Sequence, residues 1–170
     1  MKTQAKLLAK YMDTAKPGHV EWLGLRPYRR AEMLIQSEVT AKAEKGLDGD
    51  HSAKRANGST RQVTLINAED IQALSSLLQL NSINPSLLRR NIVVSGINLH
   101  AMRYQMIKIG DAILEIGAHC HPCSRMEKAL GKGALLAMYN RGGYCARVVQ
   151  GGLIKVGDSV RVTQLQRELF

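Results

Sequence analysis

Short β-like runs separated by glycine turns fill the last third of this chain, and they limit what it can fold into. Nine of the 15 glycines lie beyond residue 109. There the sequence reads "YQMIKI", a Gly110-Asp111 turn, "AILEIGAH", and later "YCARVVQ", Gly151-Gly152, "LIKV", Gly157-Asp158, "SVRVTQL". Such tight turns need positive φ, which glycine adopts without steric cost. Upstream, "HVEWLGL", "LIQSEVTAKA", "RQVTLIN" and "NIVVSGI" are further strand-like runs. The period becomes helical in about three places. Residues 2–12 form an amphipathic piece. "NAEDIQALSSLLQL" follows Asn67 as N-cap, carries Glu69 and Asp70 in its first turn, and ends near Asn81. "SRMEKALGKGALLAMY" breaks at Gly131 and Gly133. Pro85 starts a short helical turn. No strand–helix–strand alternation shows in the pattern. The expected class is mainly β: a closed or partly closed β-barrel with helices packed outside.

One domain is expected from 170 residues, with 1–17 as a helical extension, 18–163 as the domain and 164–170 as a tail. No apolar run approaches the length of a membrane span, and the polar start lacks a signal-peptide core, so a cytoplasmic protein is expected. The net charge of +10 favours anionic partners. Only 4% of residues are aromatic, which argues against nucleic acid, because base stacking needs aromatic platforms.

The chemistry concentrates in "GAHCHPCSRMEKALGKG". His119, Cys120, His121 and Cys123 fall within five residues. Three readings compete. Four ligands could make a structural zinc site, but neighbours on an extended chain point to opposite faces and no second Cys-x2-Cys exists. Cys120-His-Pro-Cys123, after a strand and before a helix, could be a redox dithiol, but the parallel frame of such proteins is missing from the pattern. Cys123 alone, at the start of a helix beside Arg125 and Lys128, could be a thiolate that binds a soft metal or carries sulfur. Buried, inert thiols are the plain alternative for Cys120 and Cys145.

The pieces "GLDGDH", "RQVTLINAED", "RRNIVVSGINL", "IGDAILEI", "CHPCSRME", "NRGGYCARVVQGG" and "IKVGDSVRV" occur in an order and spacing that resembles the MOSC domains, in their small stand-alone bacterial form. The resemblance covers about residues 18–163. It implies a barrel of the MOSC or pyruvate-kinase β-barrel-like type that holds the molybdenum cofactor (molybdopterin) or accepts sulfur for it. By resemblance, Cys123 is the metal ligand or the persulfide carrier. A site for this cofactor also needs donors for phosphate and pterin. Arg61, Arg90, Asn91, Arg141 and Arg147 are candidates, and Gly142 and Gly143 would allow close backbone approach. In "GLDGDH", Asp48 is read as a turn residue, while Asp50 and His51 stay open; relatives carry arginine where His51 stands here. The implied function is reduction of small N-hydroxylated substrates, with His51 or His121 supplying protons. Electrons would come from an external flavin or ferredoxin-type reductase, since the sequence shows no dinucleotide, flavin or iron–sulfur motif. The rival is a carrier: of persulfide taken from a sulfur donor, or of the cofactor itself. Larger relatives place a pyridoxal-phosphate desulfurase domain ahead of this one, and no such domain is expected in this chain. A basic structural or nucleic-acid-binding domain is a third possibility.

Overall fold

The computed structural model describes residues 7–8, 10–55 and 58–163. Most of the helix expected over 2–12, and the tail 164–170, lie outside these residues. A 3-10 turn at Met12–Thr14 buries Met12 and leads into the sheet.

Eleven strands follow among the described residues: β1 (Gly18–Leu25), β2 (Leu34–Gln36), β3 (Glu38–Lys42), β4 (Gly46–Leu47), β5 (Val63–Asn67), β6 (Ile92–Ser95), β7 (Met106–Ile109), β8 (Ala112–His119), β9 (Tyr144–Gln150), β10 (Gly152–Lys155) and β11 (Ser159–Val162). The order β11-β7-β8-β9-β5-β6-β1 closes on itself through a β1–β11 pairing, so seven strands form a barrel and β2 extends its β1 edge. The seam is short: Gly18 pairs with Val160 and His19 with Ser159. A side sheet, β10-β3-β4, lies beside it.

Strand alternation sorts the core into two compartments. On β6, Ile92 and Val94 fill the barrel while Val93 points outward; on β5, Leu65 points in and Ile66 out. The outward residues meet Ile71, Leu74, Leu88, Met126 and Met138 on the helices. Both faces are buried, so these strands read as continuous apolar runs.

After β1 the described helices are α1 (Ala68–Leu77), α2 (Pro85–Leu88), α3 (Ser124–Leu130) and α4 (Ala134–Ala137). The third helical piece divides at Gly131 and Gly133, both at positive φ, as the sequence predicts. The Glu127 carboxylate then accepts the backbone N–H groups of Gly133 and Leu135 and caps α4. α1 stops at Leu77, short of Asn81, and Gln79 just beyond is left-handed. Asn67 occupies the N-cap position but caps nothing. Its amide donates to the Ile97 carbonyl at 2.6 Å and accepts from Leu99 N–H at 3.3 Å, pinning the loop after β6.

The pattern also missed a strand–helix–strand unit. β5 and β6 pair in parallel, with α1 and α2 in the crossover between them. A parallel pair needs such a connection. Here the crossover is two separate helices, which obscured it in the sequence.

Candidate functional site

Cys123 stands exposed at the N-cap of α3, with extended backbone, and its side chain makes no capping hydrogen bond. The chain reaches it through the segment that leaves the end of β8. Across from it, α2 ends at Arg89 in the left-handed conformation, φ 59°. A non-glycine residue there is strained by roughly 1–2 kcal/mol. The bend separates two consecutive arginines. The Arg89 guanidinium donates to the Ala31 carbonyl at 3.0 Å. Arg90 instead donates from Nε to the Gly142 carbonyl at 2.6 Å and from Nη1 to the Leu88 carbonyl at 3.0 Å. Burial, then repulsion from Arg26 and Arg125, lowers the Arg89 pKa, while Cys123 and Asp50 act in the opposite sense. Arg89 thus lies within electrostatic reach of Cys123, Arg26, Arg125 and Asp50.

Asp50 braces this corner. Its carboxylate is buried and caps the 3-10 turn His51–Lys54, accepting from the N–H and hydroxyl of Ser52. The other oxygen accepts the Arg26 N–H and the Asn91 amide, both at 2.9 Å. Burial opposes its ionisation, yet the bonds from Ser52 and Arg26 outweigh it and leave the pKa below the ordinary carboxylate value. Asn91 spans three partners at this point: Asp50, the Gly24 carbonyl and Thr64. Arg26 Nε is buried, has no hydrogen-bond partner and lies 3.9 Å from Asp50.

The other residues singled out from the sequence scatter. His51 is half-buried and its N–H donates to the Arg26 carbonyl; His121 is exposed. Asp48 is exposed and pairs with Lys42 at 2.8 Å. Arg141 pairs with Asp70 at 2.9 Å, and Arg147 with Glu115 at 2.9 Å and Glu44 at 3.8 Å. Arg61 and Arg90 lie within electrostatic reach of the Cys120 and Cys145 thiols, whose sulfurs are 3.1 Å apart. The two glycines do permit close approach, but to the chain itself. A Cβ on Gly142 would meet the Cys120 carbonyl at 2.2 Å, and one on Gly143 the Leu65 carbonyl at 2.1 Å.

Sequence reasoning missed Arg26, Arg89 and a cluster of rings. The centroid of His119 lies 4.6 Å from that of Tyr144, 5.5 Å from His100 and 6.3 Å from His121. His100 Nδ1 is hydrogen-bonded to the Tyr144 hydroxyl. Burial and the nearby Asp70 push the Tyr144 pKa up to about 12, so the phenol stays protonated. Burial, with Arg103, His100 and His121 nearby, lowers the His119 pKa, and its Nδ1 is buried without a partner. Among the described residues no three His, Cys, Asp or Glu side chains are arranged to hold a metal ion, so His119, Cys120, His121 and Cys123 form no zinc cage.

Comparison with known proteins agrees with the barrel. The YUAD protein from Bacillus subtilis superposes with a TM-score of 0.74 at 17% identity, covering 89% of this chain and 98% of that one. YiiM from Geobacillus stearothermophilus gives 0.68 at 11%, covering 89% and 77%. YiiM from Escherichia coli gives 0.65 at 15%, covering 88% and 70%. No curated protein sequence matches the chain. The MOSC domain family matches residues 52–161, well over half of the sequence, and the chain therefore belongs to the MOSC domain family.

Proposed function

We propose that this protein binds the molybdenum cofactor through Cys123 and reduces small N-hydroxylated compounds. The observation that carries the reading is the exposed thiol at the start of α3 with the Arg89 cluster beside it. The donor set fits that group. Cys123 is a soft ligand of the kind molybdenum accepts. Arg89 and Arg125 offer guanidinium forks for an anionic end. Arg26 Nε is a buried donor that the chain leaves unpaired. When bound, the cofactor supplies the two-electron chemistry that removes oxygen from the substrate.

The protein's own groups hold and orient. Cys123 would hold the metal. Asp50 and Asn91 fix the Arg26 backbone, and Arg89 is set by its bond to Ala31. Conversion of a hydroxylamino group to an amine takes up two electrons and two protons and releases water. His121, exposed two residues before Cys123, and His51, the first residue of the turn that Asp50 caps, are the proton sources. The electrons come from a separate flavin or ferredoxin-type reductase.

Elemental analysis of protein made in cells that synthesise the cofactor tests this. Stoichiometric molybdenum, lost in Cys123→Ala and kept in Cys120→Ser, is expected, with turnover of a hydroxylamino base by the reduced protein. Molybdenum without turnover would make the protein a carrier of the cofactor, and a Cys123 persulfide without molybdenum a carrier of sulfur. Zinc that survives Cys123→Ala would overturn the assignment.

A further inference from the structure

The two remaining cysteines are far apart in sequence and adjacent in space. Cys145 is the second residue of β9, and Cys120 lies just beyond β8 with its N–H bonded to the Gly143 carbonyl at 2.8 Å. The strands run in register at Ile116–Ala146 and again at His119–Tyr144, so β8 bulges between them, opposite Cys145. A bulge re-aims the side chains that follow it. Gly117, within the bulge, sits under the Cys145 carbonyl, where an added Cβ would lie 3.4 Å away. The result is a sulfur–sulfur distance of 3.1 Å between two free thiols. A disulfide needs about 2.05 Å, so closure asks for a shift of only about 1 Å.

We propose that Cys120 and Cys145 form a peroxide-reactive dithiol that closes reversibly to a disulfide. This goes beyond the cofactor reading and does not depend on it, since neither sulfur is the proposed metal ligand.

The surroundings favour it. Arg61, Arg90 and Arg55 all lie within electrostatic reach of Cys145. The hydrogen bond between the two sulfurs, aided by these arginines, lowers the Cys145 pKa, while the same bond and burial push Cys120 up. Cys145 is therefore the attacking thiolate and Cys120 the resolving thiol. A low-pKa thiolate beside a resolving cysteine is the arrangement of peroxide-sensing thiols. Cys145 is only 5% exposed and Cys120 is half-buried, which suits a small oxidant better than a bulky disulfide.

The chemistry balances with hydrogen peroxide as oxidant. The Cys145 thiolate attacks one peroxide oxygen, the O–O bond breaks, and hydroxide leaves, taking up the thiol's former proton as water. The Cys120 sulfur then attacks the Cys145 sulfenic acid. The S–S bond forms, the S–O bond breaks, and hydroxide leaves with the Cys120 proton as a second water. The two thiols lose two electrons and peroxide gains them. A dithiol reductant reverses the link by exchange.

The test uses the full reduced chain and hydrogen peroxide, with thiol counting and mass mapping of peptides. Loss of two thiols, a Cys120–Cys145 peptide, recovery with dithiothreitol and a rate that rises with pH as the thiolate forms are expected. Cys123→Ser must still form the link. Cys120→Ser, or Cys120→Ala if the first is unstable, must leave Cys145 as sulfenic or sulfinic acid. A Cys120–Cys123 disulfide, or oxidation of Cys123 with the other two thiols intact, would overturn the proposal. Because molybdenum plays no part in the readout, failure here leaves the cofactor assignment standing, and the reverse also holds.

Discussion

Cys120 and Cys123 stand three residues apart and live in different chemistry. Cys123 is exposed at a helix start, in the corner that Arg89 commands. Cys120 turns back into the sheet to meet Cys145, near Arg90. Two local bends create the division. The β8 bulge sends Cys120 toward β9, and the left-handed cap at Arg89 sends two neighbouring guanidiniums to two different places. Proximity in sequence therefore says little about which residues act together; the backbone geometry between them decides it.

The sharpest way to break this separation is to remove one thiol at a time. Cys123→Ala should cut molybdenum retention by more than about 100-fold, since loss of an outer-shell partner alone costs about 10–100-fold. The Cys120–Cys145 pair should still oxidise. Equal loss of metal in Cys120→Ser would merge the two corners into one site.

Next comes the brace under the Cys123 corner. Asp50→Ala leaves three donors without their acceptor, the Arg26 N–H, the Ser52 N–H and one N–H of the Asn91 amide, while the Ser52 hydroxyl keeps the Gln62 carbonyl. A loss of about 3 kcal/mol in denaturant unfolding is expected. Its folded pKa lies below the unfolded value, so the stability it gives is present above about pH 3.9 and is lost as pH falls through the lower folded value. Asp50→Asn should flatten that acid limb.

A smaller effect separates the two arginines. Arg90→Ala removes bonds to two backbone carbonyls that tie the α2 end to the Gly142 loop, and should cost about 2 kcal/mol. Arg89→Ala loses one such bond and should change stability less, but should weaken metal retention about 10-fold. Thermal melts and metal analysis of both variants check this crossing of effects. The smallest change is expected at Asp70, whose pKa is raised by burial in spite of Arg141. Its sign is opposite to that of Asp50: its contribution is complete below about pH 3.9 and declines as pH rises through the raised folded value. Asp70→Asn should leave stability at neutral pH within about 0.5 kcal/mol. A clear loss would mean that the Arg141 pair is structural.

Much of the barrel was legible because its signals are local. Glycines at Gly110 and Gly157 mark turns, and the outward Ile66 and Val93 beside the inward Leu65 and Ile92 mark strands covered on both faces. The parallel β5–β6 pair was not legible, because a crossover is a relation between distant segments. The place of Cys123 at the start of a helix was legible too, and it is the N-cap of α3. Arg90 was singled out and Arg89 was not, since nothing in "RR" says that the α2 cap separates the two guanidiniums. Asn67 and Asp50 show the same limit from the other side. Asn67 reads as a capping residue in the sequence, while Asp50 stayed open. Only Asp50 caps, because Ile97 and Leu99 claim the Asn67 side chain.

The seam of the barrel has a consequence for assembly. Two residue pairs join β1 to β11, extended by bonds between Val20 and the Gly157-Asp158 turn, and they link strands near opposite ends of the described chain. Such a contact must overcome a long loop-closure entropy before it adds anything. During synthesis, β1 and β6 can pair early, but the ring stays open until residue 160 has emerged. Until then β1 has an unpaired edge next to Gly18, and a ribosome stalled in the last strand would present that edge to chaperones or to other nascent chains.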